Sequence, residues 1–241
     1  MQSSLYVALS AQVALQKRLD TVAQNVANAN TVGYRGTEMK FDSVLSAADA
    51  QMTAFVTSKD GVVSLGAGGL IKTGNPLDVA LKGQGWLSVQ TPAGRMYTRD
   101  GRIQLTTSGM LVSMRGHPVL DAGGAPMQVD PNGPTPQIAE DGTVTQNSER
   151  VGVLGVFVFD SDAKLSRVEG GFIADKAAIA ATDPAKSSMA SGYVEESNVN
   201  AIKETARLIY VQRAFDEAAS TIQSVESGLK SAIQSLGSPA S

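Results

Sequence analysis

The two ends of this chain repeat one spacing, and that spacing leaves few structures open to them. Leu5, Ala8, Gln12, Leu15, Leu19, Val22 and Val26 step alternately by three and four positions. Side chains at those steps share one face of an α-helix, so the pattern predicts a coiled-coil-like helix with Gln12 as the polar member of its seam. Neither proline nor glycine interrupts the segment. It closes at Asn28-Ala29-Asn30-Thr31-Val32-Gly33, where short polar residues and a glycine accept turn or left-handed conformations. At the other end Leu208, Val211, Phe215, Ala218, Ile222, Val225, Leu229, Ala232 and Leu236 alternate in the same way. Ser197 and Asn198 are candidate caps for this second helix. Gly228 inside it costs about 1 kcal/mol relative to alanine, and Gly237-Ser238-Pro239 ends the pattern.

A narrow apolar stripe on a long helix needs a partner. A hairpin of the two helices from one chain buries a single seam, and bundling with helices of neighbouring copies buries more. Packing of both on the chain's own strands is the plain alternative. Periodicity leaves these partners open.

Between the ends the pattern changes. Leu77-Asp78-Val79-Ala80-Leu81, Trp86-Leu87-Ser88-Val89, Met96-Tyr97-Thr98, Arg102-Ile103-Gln104-Leu105, Met110-Leu111-Val112, Pro118-Val119-Leu120 and the run from Val153 to Phe159 are rich in strand formers or alternate apolar with polar. Turn signals separate them, among them Pro92-Ala93-Gly94, Asp100-Gly101, Ser108-Gly109 and Asp141-Gly142. The fold class predicted is therefore α+β, with terminal helices packed together and a central antiparallel all-β domain. The expected divisions are an N-terminal helical segment over 1–35, an extended connector over 36–74, the β-domain over 75–185 and the C-terminal helix within 190–241. The connector is rich in Ala, Ser and Gly, loosest at Gly66-Ala67-Gly68-Gly69.

Composition narrows the function. With 241 residues, 42% hydrophobic and 18% charged, the chain is long enough and apolar enough to bury a core. Its net charge is −3 and it has no basic run, which argues against a nucleic-acid footprint and a polybasic membrane patch. The absence of cysteine removes disulfides, thiolate nucleophiles and thiolate metal sites. No apolar run approaches the roughly eighteen residues of a membrane-spanning helix, so no membrane insertion is expected. The N-terminus lacks the basic leader and apolar segment of a secretory signal. That predicts either a cytoplasmic protein or one exported without a cleavable signal.

Candidate chemistry is sparse. His117, the single histidine, sits in a Gly-His-Pro turn with no nucleophile beside it. Asp160-Ser161-Asp162 begins like a calcium loop but lacks the glycine at the sixth position and the glutamate at the twelfth. The glycines from Gly66 are not followed by the Lys-Ser/Thr of a phosphate loop. Glu195-Glu196 reads as dipole capping ahead of the second helix. Arg95, Arg99, Arg102 and Arg115 read as a solvated face or as links to a neighbouring subunit. No catalytic residue, cofactor-binding residue, metal ligand or cofactor is expected, and the chain does not read as an enzyme.

The residues from Ala27 to Arg35, Ala-Asn-Ala-Asn-Thr-Val-Gly-Tyr-Arg, resemble the signature that follows the first helix in the flagellar axial proteins, the rod, hook and hook-associated subunits. The tract from Thr73 to Val89 is similar to that family's first β-domain motif. Tyr97-Thr98-Arg99-Asp100-Gly101, Gly109-Met110-Leu111-Val112 and Gly116-His117-Pro118-Val119-Leu120 follow at its spacing. Gly192 to Asn200 resembles the entry to its C-terminal helix, which carries Gln212-Arg213-Ala214-Phe215. The resemblance spans nearly the whole chain. The chain's length suits the rod proteins and not the longer hook protein. The tract from Pro76 to Leu81 with the Gly85-Trp86 pair, and the weakly matching connector after Tyr34, favour the proximal-rod member, with the distal-rod member as the alternative. From another class, the alternative is a soluble β-domain binding protein with helical extensions.

The resemblance implies a structural subunit of the basal-body rod, exported by the flagellum's own apparatus without a cleavable signal. Copies of the chain and other rod subunits would form a helical tube across the periplasm that transmits torque. It implies an assembly seam at Leu15, Leu19, Val22, Val26, Phe215, Ile222, Val225 and Leu229. Asn28, Asn30, Thr31 and Gly33 would set the helix exit, Gly33 in a conformation closed to a β-carbon, and Tyr34 would anchor on neighbouring helices.

Overall fold

The computed structural model describes residues 2–39, 41–46, 53–58, 61–160, 163–181 and 187–237. The chain has two long helices, α1 over Gln2–Ala27 and α2 over Ala201–Gly237, and the described residues between them are strand, turn or loop. The architecture is the expected α+β, with antiparallel strand pairing throughout.

The chain forms two compact units. The first comprises Met1–Ala27, Gly36–Ser64 and Val199–Ser241. In it α1 and α2 pack on each other, and α1 also packs on the strand Thr53–Ser58. That strand pairs antiparallel with Phe41–Ser46, and Thr37–Glu38 pairs with Val62–Val63. Paired strands thus occur within the Ala- and Ser-rich stretch between 36 and 74. The first turn of α2 is capped by Asn200, whose side-chain oxygen accepts from the Lys203 N–H at 3.0 Å. The cap is therefore Asn200 rather than Ser197 or Asn198, because only Asn200 stands at the residue before the first helical turn.

The second unit comprises Asn28–Arg35 and Leu65–Asn198. Its main sheet runs in the order Leu165–Val168, Gly171–Ala174, Gly94–Thr98, Trp86–Thr91, Val156–Val158, Ile179–Ala180. The hairpin of Trp86–Thr91 with Gly94–Thr98 turns at Pro92-Ala93, leaving Gly94 at a φ of 114°. Val79–Gly83 pairs with Ser187–Ser191, and Leu70–Lys72 with Tyr193–Glu195. The core is aliphatic: Val79, Leu87, Val89, Leu111, Leu154 and Met189 are almost wholly buried. Aromatic rings take its flank, with Trp86 edge-on to Phe172 at 5.2 Å and Tyr97 edge-on to Phe159 at 4.8 Å.

The run from Val153 to Phe159 is not one strand. Glu149–Val153 belongs to a three-stranded sheet with Thr143–Gln146 and Gln137–Ile138, whereas Val156–Val158 belongs to the main sheet. The break falls at Leu154-Gly155. A β-carbon on Gly155 would lie 2.6 Å from the Asp121 carbonyl oxygen, so the chain passes a neighbouring backbone where only glycine fits.

Candidate functional site

In the helical unit the burial along α1 is wider than one seam. Ala14, Val22 and Asn25 are buried, and Leu15, Leu19 and Val26 are half-buried. Along α2, Glu204 and Val211 are buried, and Phe215, Ile222 and Val225 are half-buried; the Leu229 side chain lies outside the described residues. The buried residues of α1 include Val22 of the predicted stripe together with Ala14 and Asn25, each one position before a stripe member, and α1 packs on a strand as well as on α2. Asn25 does part of this work. Its carbonyl oxygen accepts from the Thr37 N–H at 3.0 Å and its amide donates to the Thr37 carbonyl at 2.9 Å. The same amide reaches the Glu204 carboxylate, which also holds Arg207.

Apolar side chains remain on the surface of both helices. Leu9 and Val13 stand one turn apart on α1 and are about half exposed. On α2, Ile202 is 84% and Tyr210 70% exposed, and Ile209 lies a heptad after Ile202. Helix surfaces of this kind gain free energy only when another element covers them.

In the second unit the residues that follow α1 and those that precede α2 meet. The Gly33 N–H donates to the Glu195 carbonyl at 2.7 Å and the Asn198 N–H to the Tyr34 carbonyl at 3.2 Å. Gly33 has φ of +69°, and a β-carbon there would lie 2.3 Å from the Arg99 carbonyl carbon and the Asp100 nitrogen. Asn28 and Thr31 build the turn before it, the Thr31 N–H donating to the Asn28 carbonyl and its hydroxyl to the Asn28 side chain at 3.2 Å; Asn30 is exposed.

Glu195 is the centre of this region. Its carboxylate is 2.6 Å from Arg35 and 3.0 Å from Arg99, and it accepts the Gly68 N–H at 3.0 Å. The three charged side chains are only 1%, 1% and 4% exposed for Arg35, Glu195 and Arg99. Arg99 also donates to the carbonyls of Leu81 and Gly83, and Arg35 to that of Leu65. Burial, with Arg99 beside it, pulls the Arg35 guanidinium down to about 10, with Glu195 acting in the opposite sense. Burial lowers Arg99 as well, again against Glu195. Both stay charged at neutral pH.

Three expectations are corrected here. Glu195 does not cap α2; it is a buried ion-pair partner. Arg99 belongs neither to a solvated face nor to a link to another subunit, because it is buried on Glu195 of the same chain; Arg102 and Arg115 pair with Asp100 and Glu169 but keep 36% and 48% of their side chains in solvent, as a solvated face does. Tyr34 is buried inside its own unit, under the guanidinium of Arg167 at 4.4 Å from the ring centre, and is not presented to neighbouring helices. Arg167 in turn donates to the Arg35 carbonyl and lies 4.7 Å from the centre of the Phe172 ring. Local reading missed Arg35, Arg167 and Glu195 because their partners are distant in sequence. The one available signal was that Arg35 stands directly after the Gly-Tyr pair of the turn motif.

His117 lies in the turn between paired segments, its N–H donating to the Ser113 hydroxyl. Ser161 and Asp162 of the acidic triplet lie outside the described residues. Among the described residues no cluster of His, Asp and Glu is placed to hold a metal ion, and no helix is long and apolar enough to cross a membrane.

Comparison with known proteins gives three family matches in chain order. Residues 5–35 match the model described as flagella basal body rod protein. Residues 80–146 match the flagellar hook protein FlgE/F/G D1 domain, and residues 190–235 the flagellar basal body rod FlgEFG protein C-terminal region. The chain is 46% identical to the flagellar basal-body rod protein FlgF of Mesorhizobium japonicum, over 99% of each chain. It is 42% identical to FlgF of Rhizobium meliloti, over 98% of this chain and 99% of the relative. Flagellar basal-body rod protein FlgG of Agrobacterium fabrum is 28% identical, over 88% and 91%.

Proposed function

The chain belongs to the flagellar basal-body rod proteins and is a structural subunit of the rod, and from that premise we propose that it is the proximal-rod member, polymerising into a helical tube that transmits torque. The FlgF relatives stand at higher identity than the FlgG relative, which favours the proximal over the distal member. The tube is made with copies of the chain and other rod subunits through heterologous, non-closing contacts. The subunit reaches it through the flagellar export apparatus. No catalytic step, cofactor, nucleic acid or membrane insertion belongs to this reading.

One observation carries it: the terminal helices keep apolar side chains on their surface after they have packed on each other. Leu15, Leu19, Val22 and Val26 with Phe215, Ile222, Val225 and Leu229 form the seam, and the half-buried members are completed by neighbouring helices. Each leucine-sized side chain that becomes fully covered contributes about 1.5–3 kcal/mol. The test is Ile222→Asp, expressed in cells lacking the native subunit. The variant should be exported with its strands folded and fail to enter the rod. Isolated basal bodies carrying it at normal yield would refute the seam.

A further inference from the structure

Residues Leu65 to Asn75 lie along the surface of the strand unit with most of their side chains in solvent. Leu65, Leu70 and Ile71 are large, apolar and exposed, and every residue of the strand Leu70–Lys72 is exposed. Such a segment contributes almost no burial of its own. It is held by polar contacts that converge on a short stretch before α2. Leu70, Ile71 and Lys72 pair with Glu195, Val194 and Tyr193. The Glu196 N–H donates to the Gly69 carbonyl at 2.8 Å, and the Thr73 and Gly74 N–H groups to the Gly192 carbonyl. Two further ties involve charged groups: the Gly68 N–H donates to the Glu195 carboxylate, and Arg35 donates to the Leu65 carbonyl.

Gly68 is also where the backbones come nearest. A β-carbon there would lie 2.0 Å from the Glu196 carbonyl oxygen, so the segment is pressed flat against the stretch it covers. Beneath it the charges are unequal. Two buried guanidinium groups, Arg35 and Arg99, share the single carboxylate of Glu195, and the Nε of each has no acceptor. A buried arrangement of this kind adds little net stability, yet taking Glu195 away leaves two guanidinium groups in the interior without a counter-charge. Partial docking is therefore the costly state.

We propose that residues 65–72 are a strap, latched by Glu195 between Arg35 and Arg99, that opens and closes as one unit while the aliphatic core of the strands stays folded. Closing joins three stretches at once: Gly33–Arg35 after α1, the strap itself, and Tyr193–Asn198 before α2. Opening frees all three together. The chain segments that lead out of α1 and into α2 are thus coupled through one carboxylate, and their joining is all-or-none.

Hydrogen exchange on the full-length monomer tests this without reference to rod assembly, so it fails separately from the function proposed above. The amides of Gly33, Gly68 and Glu196 report on the latch, and those of Val119, Leu120 and Met127 on the core. In the native chain the first group should exchange together and roughly tenfold or more faster than the second, as a locally opening unit does. Glu195→Gln should speed the latch amides by a further tenfold or so while leaving the core amides unchanged. Arg35→Lys keeps the charge but cannot hold both Leu65 and Glu195 with one fork, and should give a smaller increase in the same amides. It serves as the reading if the glutamine variant does not fold. Equal exchange of latch and core amides in the native chain, or a variant that speeds both groups alike, would overturn the strap as a separate unit. Unchanged Gly33 and Gly68 amides in both variants would remove Glu195 as its latch.

Discussion

The side chains of Asn25 and Glu204 meet in a buried site, amide nitrogen to carboxylate oxygen at 3.4 Å, although 179 positions separate them. The contact ties the last turn of α1 to the first turn of α2 by charge-assisted bonding instead of by the apolar seam. Asn25 is suited to it because one side chain both accepts from and donates to Thr37 while facing Glu204. Asn25→Asp is nearly isosteric but sets a second carboxylate against Glu204 and removes the donor to the Thr37 carbonyl. It should destabilise the helical unit by about 2 kcal/mol. A denaturant midpoint followed by helix circular dichroism checks this, and an unchanged midpoint would show that the pair adds nothing.

Gly33 is a second point where a single atom decides. Its left-handed backbone and the 2.3 Å separation from the Arg99 backbone act in the same direction. Gly33→Ala should cost about 2 kcal/mol or more, since the conformation itself is unfavourable for an L-residue and the neighbouring atoms are backbone that cannot swing aside. Thermal unfolding of the strand unit, read from the near-ultraviolet signal of Trp86, is the measurement. Gly74 has a similar φ of 76° but nothing within reach of a β-carbon. Gly74→Ala should be the milder variant, and the difference between the two isolates the close approach.

Arg99 and Arg102 look alike in the sequence and differ in the fold. Arg99 is buried on Glu195, whereas Arg102 pairs with Asp100 while a third of its side chain is in water. Arg99→Met leaves the buried carbonyls of Leu81 and Gly83 without their donor and Glu195 with Arg35 as its remaining guanidinium partner. It should cost about 2–4 kcal/mol. Arg102→Met should cost less than about 1 kcal/mol, the usual worth of an exposed pair. Similar urea midpoints for the two variants would refute the distinction drawn from burial.

Those contrasts show which parts of the molecule were legible in the sequence. The helices were, because the steps from Leu5 to Val26 and from Leu208 to Leu236 are local and long. The turn at Gly33 was, because short polar residues and a glycine end the first pattern. The seven-residue run from Val153 was misread, since strand propensity does not register that Gly155 passes against Asp121. Glu195 was misread for a related reason: an acidic residue ahead of a helix is usually a dipole partner, and nothing near it announces Arg35 or Arg99. Charge pairs 96 positions apart, as Arg99 and Glu195 are, become visible only when the topology brings their strands together.

The surface of the helices offers the remaining test. Val13 and Ile209 are about half exposed on α1 and α2, and neither belongs to the buried ridge between the helices. Val13→Glu and Ile209→Glu should therefore leave the monomer as it is, with changes within about 0.5 kcal/mol in a denaturant titration. In the rod, a glutamate on a covered apolar face loses its hydration without gaining a partner, and incorporation should fall steeply. Gln212→Glu places the same charge at an exposed position of α2 that is already polar, and should be incorporated normally. Counting each variant in isolated basal bodies gives the answer. Normal incorporation of Val13→Glu and Ile209→Glu would take these faces out of the contact surface and leave the seam at Ile222 to carry assembly. Loss confined to those two variants, with folded monomers throughout, would place neighbouring subunits on both helices.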